Sequence, residues 1–386
     1  MKRKIVLFPV IFFLAGCGVF PEGKQSPKEP EGLTIALWNV QNLFDGQENG
    51  NEYNEFLESA GWTAEKYAAR LVSISQAVQR MVQSDKALSA DKALLTDKTA
   101  NTASAKVAVP DLIGFVEIEN IGVLEDLARG NLSKEGYFWT AFAAIPGSSL
   151  GIGFLSRLPF TDIRTHSITV GKETAPRPVL EVRIEPRGKP LVFLLCHWKS
   201  KLGGDDATEA LRRSSAKIVH RRLLELHEDE TPVIIMGDLN ENHDDFYLRS
   251  GMILCALLPD DPAAAALAEK HSRMSKEFLV LSGNKPPETP SFFEGSLALY
   301  SPWWDDMPGG SYYYGGKWET IDHFLLPDSL FDGTGWDFAS CHVLNYPPFT
   351  TQEGVPNSYI LRYGRGLSDH LPLLLHLVDV SPGTAY

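Results

Sequence analysis

The sequence predicts an α/β protein with two mostly antiparallel mixed sheets flanked by helices. Three observations predict it. Short apolar runs recur along the chain and several follow one another closely, as strands do when they pair with sequence neighbours. Helical periodicity is confined to a few stretches, too few to supply a crossover between every strand pair of a doubly wound parallel sheet. The 386 residues, 44% hydrophobic and 22% charged, suffice for a large core.

The first 31 residues read as processing and tether. Lys2-Arg3-Lys4 is a cationic start, and Ile5 to Leu14 is an apolar stretch too short to span a bilayer. Leu14-Ala15-Gly16-Cys17 resembles the lipobox of a bacterial lipoprotein. That resemblance implies a signal peptide over 1–16, lipidation of Cys17 and a flexible tether over 17–31, rich in Pro, Lys and Glu. The expected location is the cell envelope, anchored to a membrane by lipid. Gly18, in place of Asp after the cysteine, points to the outer membrane.

Thr34 to Val40 forms the first strand and breaks at Gln41-Asn42. Thr63 caps a helix carrying Tyr67, Leu71, Ile74, Val78 and Met81 at helical spacing. Residues 84–106 are low in complexity and read as a surface insertion. Leu112 to Val116 is a buried strand ending at Glu117, and Ile152 to Leu155 is another. Val179 to Ile184 alternates as a half-exposed strand, and Leu191 to Leu195 runs into Cys196-His197. Glu209 to Leu226 is helical, with arginines on its solvent side. Val233 to Met236 is a buried strand stopping at Gly237, and Ile321 to Leu326 and Leu371 to Val378 close the set.

Polar residues suited to phosphoryl chemistry stand at the ends of these strands. Asp238 and Asn240 are two apart, so continued extension puts a carboxylate and an amide on one face. Such a pair can activate a water and hold a phosphoryl oxygen. Asn39, Glu117, His197 and Asp369-His370 occupy comparable positions. Asp322-His323 lies inside Ile-Asp-His-Phe-Leu-Leu, where a carboxylate needs a cationic or hydrogen-bonding partner, and an imidazole suits it. Taken singly each has a plain alternative: Gly-Asp and Asn form turns, and His197 and Glu117 can be structural or solvated.

In order, Trp38-Asn39-Val40-Gln41-Asn42-Leu43-Phe44, Glu117, Leu155-Ser156-Arg157-Leu158-Pro159, His197-Trp198-Lys199-Ser200, Gly237-Asp238-Leu239-Asn240, Ile321-Asp322-His323 and Leu367-Ser368-Asp369-His370-Leu371-Pro372 resemble the motifs of the endonuclease/exonuclease/phosphatase superfamily, which includes deoxyribonucleases. The resemblance covers residues 33–380 and makes 32–380 the expected catalytic domain. It implies a four-layered α/β sandwich and Mg²⁺-dependent phosphoester hydrolysis, with Mn²⁺ or Ca²⁺ as alternatives. By resemblance Glu117 is the main metal ligand, with Asn39 and Asp369 nearby. Asp238 orients or deprotonates the attacking water, and Asn240 holds the scissile phosphate. His370, paired with Asp322, stabilises the charge that develops, and His197 sits by the leaving oxygen. Gln41 departs from the acidic metal-site residue that several family nucleases carry there, which argues against a second carboxylate-bound metal.

The resemblance favours a phosphodiesterase with nuclease activity. A sphingomyelinase-like or other phosphate-ester hydrolase stays open, as does an inactive surface binding protein. Without 1–16, 33 of the 36 basic residues face 49 acidic ones, a net −16, so any nucleic-acid partner is not attracted at long range. Arg157 and Arg177 contact phosphate oxygens or only bridge loops, and Lys199 and Lys201 read as solvated; Arg177, Lys199 and Trp318 are the candidate substrate contacts. The aromatic loop over residues 300–318 stacks bases, dips into a lipid interface or packs on itself, with Lys317-Trp318 placed nearest the site. His227 and His243 read as surface residues, and one pair among Cys196, Cys255 and Cys341 could form a disulfide.

Overall fold

The computed structural model describes residues 32–82, 108–167, 177–227, 229–271, 277–290, 293, 295–307 and 309–380. Cys17 with its signal and tether, and the whole of the expected 84–106 insertion, lie outside the described residues. Among the described residues no helix is long and apolar enough to cross a membrane.

The first sheet contains β1 (Gly32–Leu43), β2 (Leu112–Ile118), β3 (Trp139–Ala143), β4 (Gly151–Ser156), β15 (Gly335–Val343) and β16 (Leu373–Val380), in the order β15-β16-β1-β2-β4-β3. The second contains β5 (Asp162–His166), β6 (Val179–Ile184), β7 (Leu191–His197), β8 (Val233–Asp238) and β14 (Asp322–Leu325), in the order β14-β8-β7-β6-β5. Only β1 with β2 and β7 with β8 run parallel; the remaining pairs in both sheets are antiparallel.

Alternation along the strands builds the layers. Ile35, Leu37, Val116 and Phe154 point inward to meet Val182, Phe193, Leu195 and Met236 of the second sheet. Ala36, Trp38, Ile113 and Phe115 point outward under α1 (Ala64–Val78) and α2 (Ile121–Arg129). On the far side, Val192, Leu194 and Ile235 pack under α3 (Asp205–His227). Helix, sheet, sheet, helix is the expected four-layered sandwich. Each fully buried aliphatic or aromatic side chain contributes about 1.5–3 kcal/mol, so the interior layers favour continuous apolar runs. Thr63 Oγ1 accepts from Lys66 N at the start of α1, the cap its position predicts.

Two glycines mark close approaches. A Cβ at Gly114 would sit 2.7 Å from Met236 Cε, across the inter-sheet layer. At Gly237 it would lie 2.0 Å from the Cys196 carbonyl oxygen, and φ there is +150°.

Several expectations need correction. Val179–Ile184 is buried along nearly its whole length, because α3 covers one face and the first sheet the other. Arg212 and Arg222 of α3 are buried, each held by carboxylates: Arg212 by Glu209 and Glu241, Arg222 by Glu181. Strand β8 runs past Gly237 to Asp238. Cys196, Cys255 and Cys341 are free and buried. Lys201 is paired with Asp245 at 2.8 Å, and His243 packs on Trp304 and reaches Thr320 Oγ1 at 2.8 Å. Neither is a plain solvated group. A small parallel sheet of β9 (Leu257–Pro259), β10 (Leu279–Ser282) and β11 (Ala298–Tyr300), and a hairpin of β12 (Tyr312–Tyr314) and β13 (Lys317–Glu319), complete the strands. Helices α4 (Asp245–Leu248) and α5 (Pro262–Lys270) lie before and after β9.

Candidate active site

Sheet register assembles one half of the site. Parallel pairing sets His197 beside Asp238, and antiparallel pairing sets Asp322 on the other side of Asp238. The first sheet supplies the other half: Asn39 and Glu117 near the ends of β1 and β2, and Asp369-His370 just before β16. Residues scattered along the chain therefore meet where the two sheets share one edge.

The backbone is strained there. Gln41 (φ +52°), Asn42 (+57°), Glu117 (+65°) and Asn240 (+52°) all occupy the left-handed region, with the β1–β2 pairing interrupted by register shifts. Non-glycine residues adopt it at a cost that the surrounding packing must offset. The result is directional: Asn42 N donates to Glu117 Oε2 at 2.9 Å, and Asn240 N donates to Asp238 Oδ1 at 3.0 Å.

The remaining contacts close the pit. Asn39 Nδ2 donates to Asp238 Oδ2 at 3.0 Å, while Gln41 N donates to Asn39 Oδ1 at 3.0 Å. His197 Nε2 stands 3.9 Å from Glu117 Oε1 and 3.8 Å from Asp238 Oδ2. His370 Nδ1 lies 2.7 Å from Asp322 Oδ2, and its Nε2 faces Asp238 Oδ2 at 4.0 Å. Asn240 Nδ2 and Arg177 Nη1 both donate to the Trp198 carbonyl, at 3.2 and 2.8 Å. Lys199 reaches Ser200 Oγ at 3.3 Å, and burial, then repulsion from Arg177, lowers the Lys199 pKa.

Electrostatics differentiates the groups. Burial, then the Asp322 charge, pushes Asp238 up to about 7, in the range of a general base at neutral pH. Burial and the neighbouring Asp369 raise Glu117. Burial, Arg177 and His370 hold His197 well below the usual histidine range, so it stays neutral. Burial opposes charging His370, but the Asp322 carboxylate, bonded to it, and the charges of Asp369 and Asp238 outweigh that and raise its pKa.

The pit gathers four carboxylates, Glu117, Asp238, Asp322 and Asp369, against the His370 imidazolium and the Arg177 guanidinium. Ligand atoms of Glu117, His197 and Asp238 lie within 4.8 Å of one another, and so do those of Asp238, Asp322 and His370. Carboxylate oxygens around excess negative charge suit a hard divalent cation, with Glu117 as the ligand and Asn39 and Asp369 adjoining. Such an ion supplies charge neutralisation at phosphoryl oxygens. A third cluster, Glu209, Glu241 and Cys255, is of another kind. Arg212 and Arg249 already hold Glu209, and Arg212 and Leu257 N hold Glu241.

Some supporting residues are not evident from the motifs. Arg70, fully buried, donates to the Val40 and Gln41 carbonyls at 2.5 and 2.6 Å and stacks on Tyr359 at 3.6 Å. It fixes the left-handed turn that orients Asn42 N. Its position between Tyr67, Leu71 and Ile74 on the apolar stripe was the available clue. Ser368 Oγ donates to the Asn39 carbonyl and accepts from His370 N, tying the two motifs together. Glu119 instead receives Asp45 N and Asn49 Nδ2, outside the pit. Gln41 is bonded to the Tyr359 backbone. Trp318 packs on Tyr313, and the hairpin residue against His370 is Tyr312, not Trp318.

A two-sheet sandwich holding acids, amides and an Asp-paired histidine at one edge is the architecture of a phosphoester hydrolase. Residues 34–257 match the Endonuclease/Exonuclease/phosphatase family, and the chain belongs to it. Members of this family are phosphoester hydrolases that depend on a divalent metal. No curated protein matches the chain. Among solved structures, it is similar to an endonuclease/exonuclease/phosphatase family protein of Bacteroides thetaiotaomicron, at 15% identity over 91% of this chain and 99% of that one, TM-score 0.48. It is similar to a mannosyl-6-phosphatase of the same organism at 15% identity, over 90% and 99%, TM-score 0.48. A third is D. rerio TDP2 complexed with single strand DNA product, at 12% identity over 90% and 99%, TM-score 0.45.

Proposed function

We propose that the protein is a Mg²⁺-dependent phosphodiesterase with nuclease activity, held in the cell envelope by lipid on Cys17. The observation that carries this reading is the convergence of Glu117, His197, Asp238 and the Asp322–His370 pair in one pit. Asp238, poised near neutrality, takes a proton from the attacking water. Asn240 and Arg177 bind non-bridging phosphate oxygens. The imidazolium of His370, fixed by Asp322, faces the charge that builds on the phosphoryl group, and neutral His197 stands at the leaving oxygen. A divalent cation, held by Glu117 with Asn39 and Asp369 nearby, would supply charge neutralisation at the phosphate oxygens. Stabilisation of developing charge by groups already in place is the main catalytic contribution.

The test is to incubate the protein with Mg²⁺ or Mn²⁺ against plasmid, single-stranded DNA, RNA, sphingomyelin and a bis-aryl phosphodiester. Asp238→Asn and His370→Ala serve as controls. Nicking lost in both controls supports the nuclease. Release of choline phosphate assigns the lipid substrate instead, and no hydrolysis together with no metal binding contradicts the enzyme reading.

A further inference from the structure

The two sheets repeat one pattern about the pit. Setting aside the edge strand β15, the order β16-β1-β2-β4-β3 matches β14-β8-β7-β6-β5, with the same succession of antiparallel and parallel pairings. Matching positions meet at the site. Asn39 on β1 bonds Asp238 on β8 at 3.0 Å, and Glu117 on β2 faces His197 on β7 at 3.9 Å. His370, before β16, meets Asp322 at the start of β14 at 2.7 Å. Even the turns agree: Gln41 N donates to Asn39 Oδ1 and Asn240 N to Asp238 Oδ1, both at 3.0 Å, and φ is +52° at Gln41 and at Asn240.

Each half carries its own buried arginine on the helix that joins its parallel strands. Arg70 lies on α1, between β1 and β2, and Arg212 on α3, between β7 and β8. At 2% and 0% exposure they are the most buried arginines among the described residues. Arg70 Nη2 holds the Val40 and Gln41 carbonyls, just before the Asn42 N–H that donates to Glu117. Arg212 Nε donates to Glu241 Oε2 at 3.3 Å, and its Nη1 to the Lys199 carbonyl at 3.4 Å. Glu241 follows Asn240, and Lys199 follows Trp198, whose carbonyl receives both Asn240 Nδ2 and Arg177 Nη1. A planar guanidinium fork spans two acceptors in a fixed geometry, which a point-like ammonium does not. Without that fork a left-handed turn is free to relax towards an unstrained backbone.

We propose that Arg70 and Arg212 are positioning residues with separate tasks. Arg70 sets the affinity for the divalent cation through Asn42 and Glu117, and Arg212 sets the hold on phosphate through Asn240 and Arg177. This rests on the phosphoesterase reading above and divides its site into two halves that can be weakened one at a time. Partners behind a metal ligand typically alter metal affinity 10- to 100-fold, so the metal half has an effect of measurable size.

The test measures binding without turnover, on the full chain and its Arg70→Lys and Arg212→Lys variants. Lysine keeps the buried positive charge, and with it the fold, but loses the fork. Calorimetry gives the Kd of Mn²⁺ alone and then of inorganic phosphate at saturating Mn²⁺, and thermal unfolding without metal is recorded for each protein. Arg70→Lys is expected to weaken Mn²⁺ binding roughly 10- to 100-fold and to leave phosphate within about 2-fold, the scatter of independent sites. Arg212→Lys is expected to weaken phosphate roughly 10-fold, the worth of about one hydrogen bond, and to leave Mn²⁺ within about 2-fold. Lower unfolding temperatures with both affinities kept overturn the proposal and make the two arginines structural props. Both affinities falling together in either variant, or the two variants showing each other's pattern, overturns it as well. Tighter Mn²⁺ binding in Arg70→Lys also overturns it and makes the guanidinium a competing charge. In all of these the wild type still binds both ligands, and the phosphoesterase reading stands. If the wild type binds neither Mn²⁺ nor phosphate, both readings fail.

Discussion

His370 Nδ1 lies 2.7 Å from Asp322 Oδ2, and the pair joins the two sheets, since His370 precedes β16 and Asp322 begins β14. One hydrogen bond thereby holds the proton on Nδ1 and turns Nε2 towards Asp238.

Asp322→Asn should leave the fold in place and the imidazole misdirected. An amide keeps the volume but loses the charge that holds the proton on His370. The expected outcome is a fall in kcat of roughly 10²- to 10⁴-fold on any diester the protein cleaves, by analogy with other carboxylate–imidazole pairs. Steady-state kinetics checks it, with near-ultraviolet circular dichroism confirming the fold. Ser311→Ala removes only one donor to Asp322 Oδ2 and should cost far less.

Glu181 gives a pH prediction away from the site. Its carboxylate accepts from Arg222 Nε at 2.6 Å and Nη2 at 2.8 Å, and meets His166 Nε2 at 2.7 Å. Burial alone would raise its pKa, but Arg222 and His166 outweigh this and hold it at about 2, against an ordinary 4.5. A depressed carboxyl stabilises the fold fully above the unfolded value and loses that contribution as pH falls through the folded one. Glu181→Gln should therefore destabilise by about 2–3 kcal/mol at pH 7, with the gap to wild type closing between roughly pH 4.5 and pH 2. Urea midpoints measured across that range decide it.

Gly237→Ala should be among the most damaging small substitutions. The added methyl would meet backbone, the Cys196 carbonyl at 2.0 Å, which cannot move without parting β7 from β8. Destabilisation of about 2–4 kcal/mol is expected, above the usual overpacking range because the backbone is strained as well. Gly114→Ala meets only side-chain ends, Met236 Cε at 2.7 Å and Leu195 Cδ1 at 3.0 Å, and should cost less, as a side-by-side denaturation series would show.

The strands legible in the sequence are those buried on both faces, such as β2, β7 and β8, whose apolar runs leave little ambiguity. Strands β9 to β13 have three or four residues each, too few for a period to show. Strand β15 interleaves Asp337, Ser340 and His342 at a sheet edge and gives no apolar run. Arg212 and Arg222 of α3 depart from the expected solvent face because a charged residue on an apolar stripe looks solvated until its carboxylate partner, supplied by a distant segment, is known. At the site, motif order named the chemical groups. It did not reveal the left-handed backbone at Glu117 and Asn240, nor Arg70 beneath the β1 turn, because both depend on contacts between segments far apart in the chain.

The claim on which the rest depends is that these groups surround one divalent cation. Crystals soaked in Mn²⁺ and measured at the manganese absorption edge test it directly. The account predicts an anomalous peak at coordination distance, about 2.0–2.6 Å, from a Glu117 carboxylate oxygen, on the side facing Asp238 and His197. No peak in that pit, or one only at Glu209, Glu241 and Cys255, would contradict it.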